Sequence, residues 1–319
     1  MYAKQNGLTR RQFLTLLAAA GLGTPLVSCG GGGASTSGQA RREAPAPTGD
    51  QAYLAVARGG DPGAITRAAL AAVGGIERFV NSGDDVIIKP NICVDYRTYE
   101  YGATTNPDVV ATLVELCLAV GAKRVRVMDT PFGGGPETAY ARSGIADAVK
   151  AVGGVMEVMN RAKFRKTTIP EGRDIKSWSV YQDMLTADVL INVPIAKHHS
   201  LARLSLAGKN LLGVVGDPEA VHARLGQRVA DLVSLVRPTL TVVDAVRTLV
   251  AHGPTGGNLN DVRLTNTVVA SHDIVAADAY AATLFALSGK DIAYVKKAAD
   301  MGLGTLDLQS IKLEEIAVG

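Results

Sequence analysis

The chain has 319 residues, which is enough for one large domain or two small ones with a packed core. Its composition, 47% hydrophobic and 20% charged with three cysteines, excludes a disordered chain, a coiled coil and a disulfide scaffold. The formal net charge is +3, but Lys4, Arg10 and Arg11 carry three positive charges in a leader without acidic residues. The rest of the chain is formally neutral, so net charge does not indicate a nucleic-acid partner.

Residues 1–28 have the layout of a twin-arginine export signal. The pair Arg10-Arg11 precedes an apolar stretch at 14–27 that is rich in alanine and glycine, and this stretch is too short for a transmembrane helix. The sequence Leu-Val-Ser before Cys29 resembles a lipobox, which predicts cleavage after residue 28 and acylation of the Cys29 thiol by a lipid such as palmitate. An ordinary secretory leader with a chance cysteine is the alternative.

The segment that follows predicts a tether. Residues 29–50 are rich in Gly, Ser and Pro, a composition that cannot bury a core. We therefore expect a globular domain at 51–319, held to a membrane through the lipid anchor only and facing the periplasm or the cell exterior. No apolar run in this domain reaches the ~18 residues that a spanning helix needs.

The two remaining cysteines are Cys93 and Cys117, too few for an iron–sulfur cluster. Cys93 follows a predicted strand, and Cys117 lies among leucines on a predicted helix. Both are expected to pack in the core, with a mutual disulfide as the alternative in an oxidising compartment.

Short apolar runs alternate with helical patterns along the domain. Buried strands are predicted at 53–56, 85–88, 125–128, 189–193, 240–243, 267–270 and 311–313. Helices are predicted at 107–120, 144–152, 225–236 and 274–287. This alternation predicts an α/β fold with a mainly parallel sheet flanked by helices, either as one body or as two closely packed subdomains.

Several predicted strands run directly into polar residues, which is where open α/β sheets bind ligands. The sequence places such residues after four strands: Lys89 and Asn91, Asp129, the segment from Lys197 to His199, and Asp244. We expect these side chains to share one cleft. Polar strand ends are also ordinary turn chemistry, so each one alone is weak evidence.

Residues 194–222 contain three of the five histidines, and two functional interpretations of this segment stay open beside that of a surface loop with solvated lysines. In the first, His199, Asp217 and His222 bind a divalent metal, although their spacing matches no zinc motif. In the second, Lys197 and Lys209 bind an anion together with Lys89, Asn91 and Asn210. Because adjacent residues of an extended segment point to opposite sides, only one of His198 and His199 is expected to face the cleft.

The motifs resemble those of the DUF362 family, a family named for its lack of an assigned function. The resemblance rests on VPIAKHH at 193–199, LAGKNLLG at 206–213, VIIKPN at 86–91, RVADL at 228–232, VVDA at 242–245 and ASHDIVAAD at 270–278. These motifs cover roughly residues 85–305 in the family's order. Some members carry a ferredoxin-like cysteine cluster, which this chain lacks. A fainter similarity connects the chain to the nickel-pincer lactate racemase group, which uses His and Lys on an α/β scaffold.

Two functions compete. The first is an envelope-anchored enzyme that acts on a small anionic ligand, in which His198 or His199 moves a proton and Asp129 or Asp244 orients it. The second is a non-catalytic lipoprotein that binds a metal or cofactor and serves a redox or assembly partner. Neither function involves nucleic acid, and the sequence does not identify the cofactor.

Overall fold

The computed structural model describes residues 41–319, so the predicted leader, with Arg10 and Arg11, and the predicted acylation site Cys29 lie outside the described residues. The strands are β1 Leu54–Arg58, β2 Asp85–Pro90, β3 Arg124–Val127, β4 Val155–Met156, β5 Phe164–Thr168, β6 Ser177–Tyr181, β7 Val189–Val193, β8 Ile195–His199, β9 Arg203–Ser205, β10 Leu240–Leu249, β11 Val262–Ser271 and β12 Leu313–Ala317. The helices are α1 Pro62–Ala72, α2 Pro107–Ala119, α3 Pro136–Arg142, α4 Ile145–Ala151, α5 Asp183–Thr186, α6 Ala207–Asn210, α7 Leu225–Val236, α8 Ile274–Thr283 and α9 Ala293–Asp300.

The central sheet is mixed, and most of its strands are parallel, as predicted. Its order is β12-β1-β11-β10-β7-β2-β3-β4, and β8 pairs with both β10 and β9. The pairs β10–β7, β7–β2, β2–β3 and β3–β4 are parallel. The exception on this path is the long β10–β11 hairpin, whose antiparallel strands also bring β11 antiparallel to β1.

Both faces of the sheet are buried, which explains why its central strands are mostly apolar. Along β7, Leu190 packs into the core beneath α7, α8 and α9, whereas Val189 and Ile191 pack into the core beneath α1, α2 and α4. Successive side chains of a strand point to opposite faces, so covering both faces requires a continuous apolar run.

Helix α2 follows its sequence signals closely. The Asn106 side chain caps the helix by accepting from the backbone N–H of Asp108, and Pro107 occupies the first turn. Past the last turn, Gly121 adopts φ +84°, a left-handed conformation that glycine tolerates best. Cys117 is buried in this helix, and both Cys93 and Cys117 are free thiols that belong to separate apolar clusters. The disulfide alternative is therefore wrong for this structure.

Four predicted elements differ from the structure by more than two residues at one end. The strand predicted at 240–243 continues to Leu249, and the one at 267–270 is the end of a ten-residue strand. The strand predicted at 311–313 begins at Leu313, and the helix predicted at 274–287 ends at Thr283. Helices α1 and α9 and the β5–β6 hairpin were not predicted.

Residues 41–319 belong to one compact unit rather than to two subdomains. The end of the predicted tether lies against this unit: Arg42 Nη2 is 2.6 Å from Asp84 Oδ2, and the Arg78 guanidinium donates to the Pro45 carbonyl. No helix within the described range is both long and apolar enough to cross a bilayer.

Candidate functional site

A cavity of about 460 Å3 opens at the carboxyl ends of β2, β3 and β8. We call it the basic cleft. Its lining includes the residues that carry charge or can take up protons, namely Lys89, Cys93, Asp129, Lys197, His199, Lys209, Glu219 and His222, together with the amides Asn91 and Asn210. The parallel strands β2, β3 and β7 end at the same edge, and β8 continues from β7 through Pro194. This topology brings together residues that are more than a hundred positions apart.

Lys89 forms a buried ion pair with Asp129 at the base of the basic cleft. Lys89 Nζ lies 2.6 Å from Asp129 Oδ1, and their side chains are 0% and 3% exposed. The other carboxylate oxygen of Asp129 accepts from the backbone N–H of Ile92 at 2.7 Å. Burial lowers the pKa of Lys89, and the Asp129 charge opposes that shift. Because the two opposite charges pair with each other, Lys89 and Asp129 together add no net charge to the basic cleft.

Close backbone packing protects the ion pair. A Cβ added at Gly213 would lie 2.1 Å from Asp129 Oδ1 and 2.8 Å from Lys89 Nζ. Real Cβ atoms essentially never approach that closely, so a side chain at position 213 would displace the charged ends of Asp129 and Lys89. Glycine at this position leaves room for the ion pair in its observed geometry.

Two asparagine side chains connect Lys89 with Lys197. Asn210 Oδ1 accepts from Lys89 Nζ at 3.2 Å and from Asn91 Nδ2 at 3.0 Å. Asn91 Oδ1 accepts in turn from Lys197 Nζ at 2.9 Å, and Lys197 Nζ also donates to the Ala103 carbonyl at 2.6 Å. Lys197 is thus held by two neutral acceptors, and within residues 41–319 it forms no ion pair with a carboxylate.

Lys209 is the lysine of the basic cleft with the fewest hydrogen bonds within the described residues. It lies on α6, is half-buried, and has no hydrogen-bond partner for its Nζ within the described part of the chain. Burial, reinforced by the positive charge of Lys197, lowers the pKa of Lys209 to about 8. Its amine therefore faces the cavity with all three hydrogens available to a ligand.

His199 faces the basic cleft as a neutral ring. Its Nδ1 accepts from the backbone N–H groups of Leu201 at 3.1 Å and Ala202 at 3.3 Å, which places the ring proton on Nε2. Burial, together with the charges of Lys209 and Lys197, lowers the pKa of His199 to about 3. The His222 ring stacks against it with a centroid distance of 6.2 Å.

Two predicted catalytic residues, His198 and Asp244, lie outside the lining of the basic cleft. His198 points away from the basic cleft, and its Nδ1 accepts from the backbone N–H of Gly253. Asp244 is fully buried and accepts from the backbone N–H groups of Asn106 at 2.7 Å and Val246 at 2.9 Å, so it holds the start of α2. It was misplaced because β10 continues through it instead of ending there.

The predicted metal ligands are not assembled. Asp217 lies in an exposed loop, where its carboxylate accepts from the backbone N–H of Ala220, and it is absent from the cleft lining that includes His199 and His222. Across residues 41–319, no cluster of three or more His, Cys, Asp or Glu side chains has a metal-binding arrangement. The lysines of the basic cleft would also repel a cation.

Sequence reasoning missed several residues of this site. Asn192 interrupts the apolar run of β7, and its Oδ1 accepts from Asn210 Nδ2 at 2.8 Å. A buried amide within such a run is a signal that could have been used. Phe132 and Leu201 line the mouth of the basic cleft with exposures of 71% and 73%, and no sequence signal marked them.

Comparisons with known proteins find relatives and distant structural matches. A thylakoid-associated protein of Synechocystis sp. is 27% identical over 232 residues, which cover 67% of either chain. The lactate racemase apoprotein of Thermoanaerobacterium thermosaccharolyticum aligns over 77% of this chain and 56% of its own, with a TM-score of 0.43 and 11% identity. A protein of Thermotoga maritima aligns over 58% and 51%, with a TM-score of 0.31 and 11% identity. The chain thus spans only about half the length of these two solved structures.

The motifs that line the basic cleft all fall within a single family match. The model of a domain of unknown function, DUF362, matches residues 86–283, which is more than half of the chain. That range includes β2 with Lys89, the segment from Lys197 to Asn210, and α8. The chain belongs to the DUF362 family.

Proposed function

We propose that this protein is an enzyme that binds a small anionic molecule in the basic cleft and acts on it there. One observation carries the proposal: Lys197 and Lys209 share a cavity, and within the described residues neither has a carboxylate partner. The third lysine, Lys89, is neutralised by Asp129. Two uncompensated ammonium groups in one cavity repel each other, and a bound carboxylate or phosphate relieves that repulsion.

The rest of the cleft fits a small organic anion. Its volume of about 460 Å3 lies in the range of small-molecule sites, in which apolar walls surround a few convergent polar groups. Ile92, Leu212 and Pro254 supply apolar wall, and Asn91 supplies an amide. His199 presents an Nε2 proton that could hydrogen-bond to the anion without adding charge.

We also propose that the protein is exported through the twin-arginine route and anchored to a membrane through a lipid on Cys29. The arginine pair and the lipobox-like sequence support this proposal. The name of the Synechocystis relative, a thylakoid-associated protein, agrees with a membrane location. The lipid would then be the membrane contact, since a buried acyl chain contributes about 0.8 kcal/mol per methylene. Cys29→Ala should move the folded protein to the soluble fraction. Membrane retention of that variant after a carbonate wash would contradict the anchor.

Thermal unfolding with and without ligand tests the cleft. Phosphate or pyruvate at millimolar concentration should raise the melting temperature, and the effect should saturate. At a ligand concentration of a hundred times the dissociation constant, the free energy of unfolding should rise by about 2.7 kcal/mol. Lys197→Met and Lys209→Met should each remove most of that gain. Lys166→Met is the matched control, because Lys166 is an exposed lysine of β5 outside the cleft.

Two results would contradict the proposal. A small, non-saturating salt effect that survives both cleft substitutions would show that the lysines are merely solvated. One nickel, zinc or iron ion per chain, in protein purified after export and processing in the cell, would instead favour a metal- or cofactor-binding lipoprotein that serves a redox or assembly partner. Mass-spectrometric metal analysis of the purified full chain distinguishes these cases.

A further inference from the structure

Hydrogen bonds hold the backbone that carries Lys209 at both ends of its four-residue helix. The carboxylate of Asp278, itself buried in α8, accepts from the backbone N–H groups of Ala207 at 2.6 Å and Gly208 at 2.9 Å. At the other end of α6, the Asn210 side chain is held between β2 and β7. Lys209 lies between these two attachments, so its Cα cannot shift while its side chain extends into the basic cleft.

The three lysines of the basic cleft differ in what their amines are free to do. Lys89 Nζ donates to Asp129 Oδ1, Asn210 Oδ1 and the Pro90 carbonyl, which uses all three of its hydrogens. Lys197 Nζ donates to Asn91 Oδ1 and the Ala103 carbonyl, so one hydrogen is left for a ligand. Lys209 Nζ donates to no group within residues 41–319.

The surroundings of Lys209 raise the fraction of its amine that is neutral near pH 7. Burial disfavours the ammonium form, and the charge of Lys197 adds to that effect, which together lower the pKa of Lys209 to about 8. A lysine that is desolvated beside another cation is the usual arrangement for an amine nucleophile. The other titratable side chains that line the same cavity are Lys89, Cys93, Asp129, His199, Glu219 and His222.

We propose that Lys209 is a nucleophile that forms an imine with the carbonyl carbon of a small oxo acid. The carboxylate of the oxo acid would bind Lys197 through its remaining hydrogen and would bring the carbonyl group to Lys209. This inference rests on the proposed anion site and names its substrate class.

The covalent step balances without any further reactant. The Lys209 nitrogen attacks the carbonyl carbon and a C–N bond forms, which gives a carbinolamine. The C–O bond then breaks, and the oxygen leaves as water with the two hydrogens that the neutral amine contributed. Neither carbon nor nitrogen changes oxidation state in a way that requires an oxidant or reductant, and hydrolysis reverses the step.

Borohydride trapping tests the proposal directly. The full chain is incubated with pyruvate and reduced with sodium borohydride, which converts an imine into a stable secondary amine. Intact-mass measurement should show one adduct per chain, and peptide mapping should place it on Lys209. The trapping rate should rise between about pH 6 and pH 9, because the neutral amine is the reactive form.

Matched variants separate the role of Lys209 as a nucleophile from its role as a positive charge. Lys209→Arg keeps a cation that cannot form an imine, so it should retain the pyruvate-induced rise in melting temperature and lose the adduct completely. Lys197→Met should keep a reactive amine but need more pyruvate for the same yield. Lys166→Met should trap pyruvate like the unsubstituted chain.

The outcomes distinguish this inference from the proposed function. If pyruvate raises the melting temperature but borohydride yields no adduct, the imine is wrong and the anion site stands. If pyruvate produces neither effect, and phosphate also fails to stabilise the chain, both proposals are wrong. Adducts spread over several exposed lysines, and unchanged in Lys209→Arg, would show only nonspecific modification and would overturn the inference.

Discussion

Three buried aspartates in the body of the domain accept hydrogen bonds from backbone N–H groups, whereas two lysines of the basic cleft have no carboxylate partner within the described residues. In the body, Asp231 is fully buried, and its carboxylate accepts from the backbone N–H groups of Arg173, Asp174 and Ile175. Asp244 and Asp278 likewise accept from pairs of backbone N–H groups. In the cleft, Lys209 has no partner within the described residues, and Lys197 has only neutral ones. A saturated buried charge holds the fold together, whereas an unsaturated one beside a cavity is available to a ligand.

The largest effect should follow from removing a saturated carboxylate. Asp231→Ala would leave three backbone N–H groups without their acceptor, at about 1–3 kcal/mol for each group that stays buried. We expect the free energy of unfolding to fall by about 4 kcal/mol, measured by urea denaturation. Glu314→Ala, at an exposed position of β12, is the control and should change stability by less than about 0.5 kcal/mol. A loss below about 1 kcal/mol for Asp231→Ala would contradict a structural role.

A somewhat smaller loss should separate Lys89 from the other two lysines of the cleft. Lys89→Met leaves the Asp129 carboxylate buried without its cation, which typically costs about 3 kcal/mol or more. The double variant Lys89→Met/Asp129→Leu removes both charges and should recover most of that loss. A double-mutant cycle in urea measures the coupling. If the two single effects simply add, the ion pair is not the reason that Lys89 is buried.

Sequence alone predicted the central strands because full burial leaves a strong signal. Strand β7 was predicted with its observed bounds, since covering both faces of a sheet demands a nearly continuous apolar run, which Asn192 alone interrupts. The β5–β6 hairpin was missed for the converse reason: FRKTT and SWSVY are mostly half-buried or exposed, and their polar residues hide the alternation. Helix α1 was missed although Asp61 caps it and Pro62 begins it.

The same physics limited what could be predicted of the cleft. Lys89, Asp129 and Lys197 lie close together because parallel strands end at a common edge of the sheet. That convergence could be predicted, since it depends only on the topology of the strands. Which charges are paired depends on distances of a few ångströms between residues such as Lys89 and Asp129, 40 positions apart. Sequence spacing does not encode those distances, so Lys89 was grouped with the ligand-binding lysines, and Asp244 was expected in a cleft whose lining does not include it.

A pH effect of intermediate size should mark Lys209 as the unsaturated charge. Its pKa is about 8 in the fold against 10.5 in the unfolded chain, so between these values the unfolded chain binds the extra proton. Stability contributed by this group therefore rises with pH from about 8 to about 10.5. Lys209→Met lacks this contribution. At pH 7 it should be as stable as the unsubstituted chain or more stable by up to about 1 kcal/mol, because the side chain is only part-buried.

Urea denaturation of both chains at pH 7 and at about pH 10 checks this sign. The advantage of the variant at pH 7 should shrink or reverse at the higher pH, while Lys166→Met should show no such change. A difference that stays constant with pH would mean that Lys209 titrates as it does in the unfolded chain, and that the basic cleft does not disfavour its charge.

The smallest effect concerns the apolar mouth of the basic cleft, where the unsaturated charges meet solvent. Phe132 is 71% exposed, so Phe132→Ala should change the free energy of unfolding by less than about 0.5 kcal/mol. If the mouth contacts the ligand, an anion with an aromatic group should cover the Phe132 side chain. Phe132→Ala should then bind that anion about 1 kcal/mol more weakly, whereas its affinity for a small anion should not change. Phenylpyruvate and pyruvate provide that contrast in a thermal-shift titration. Leu264→Ala, at a position of β11 that is 62% exposed and outside the cleft, is the control. If Phe132→Ala lowers the affinity for both ligands equally, the substitution has disturbed the whole cleft. If it lowers neither affinity, the mouth does not contact the ligand.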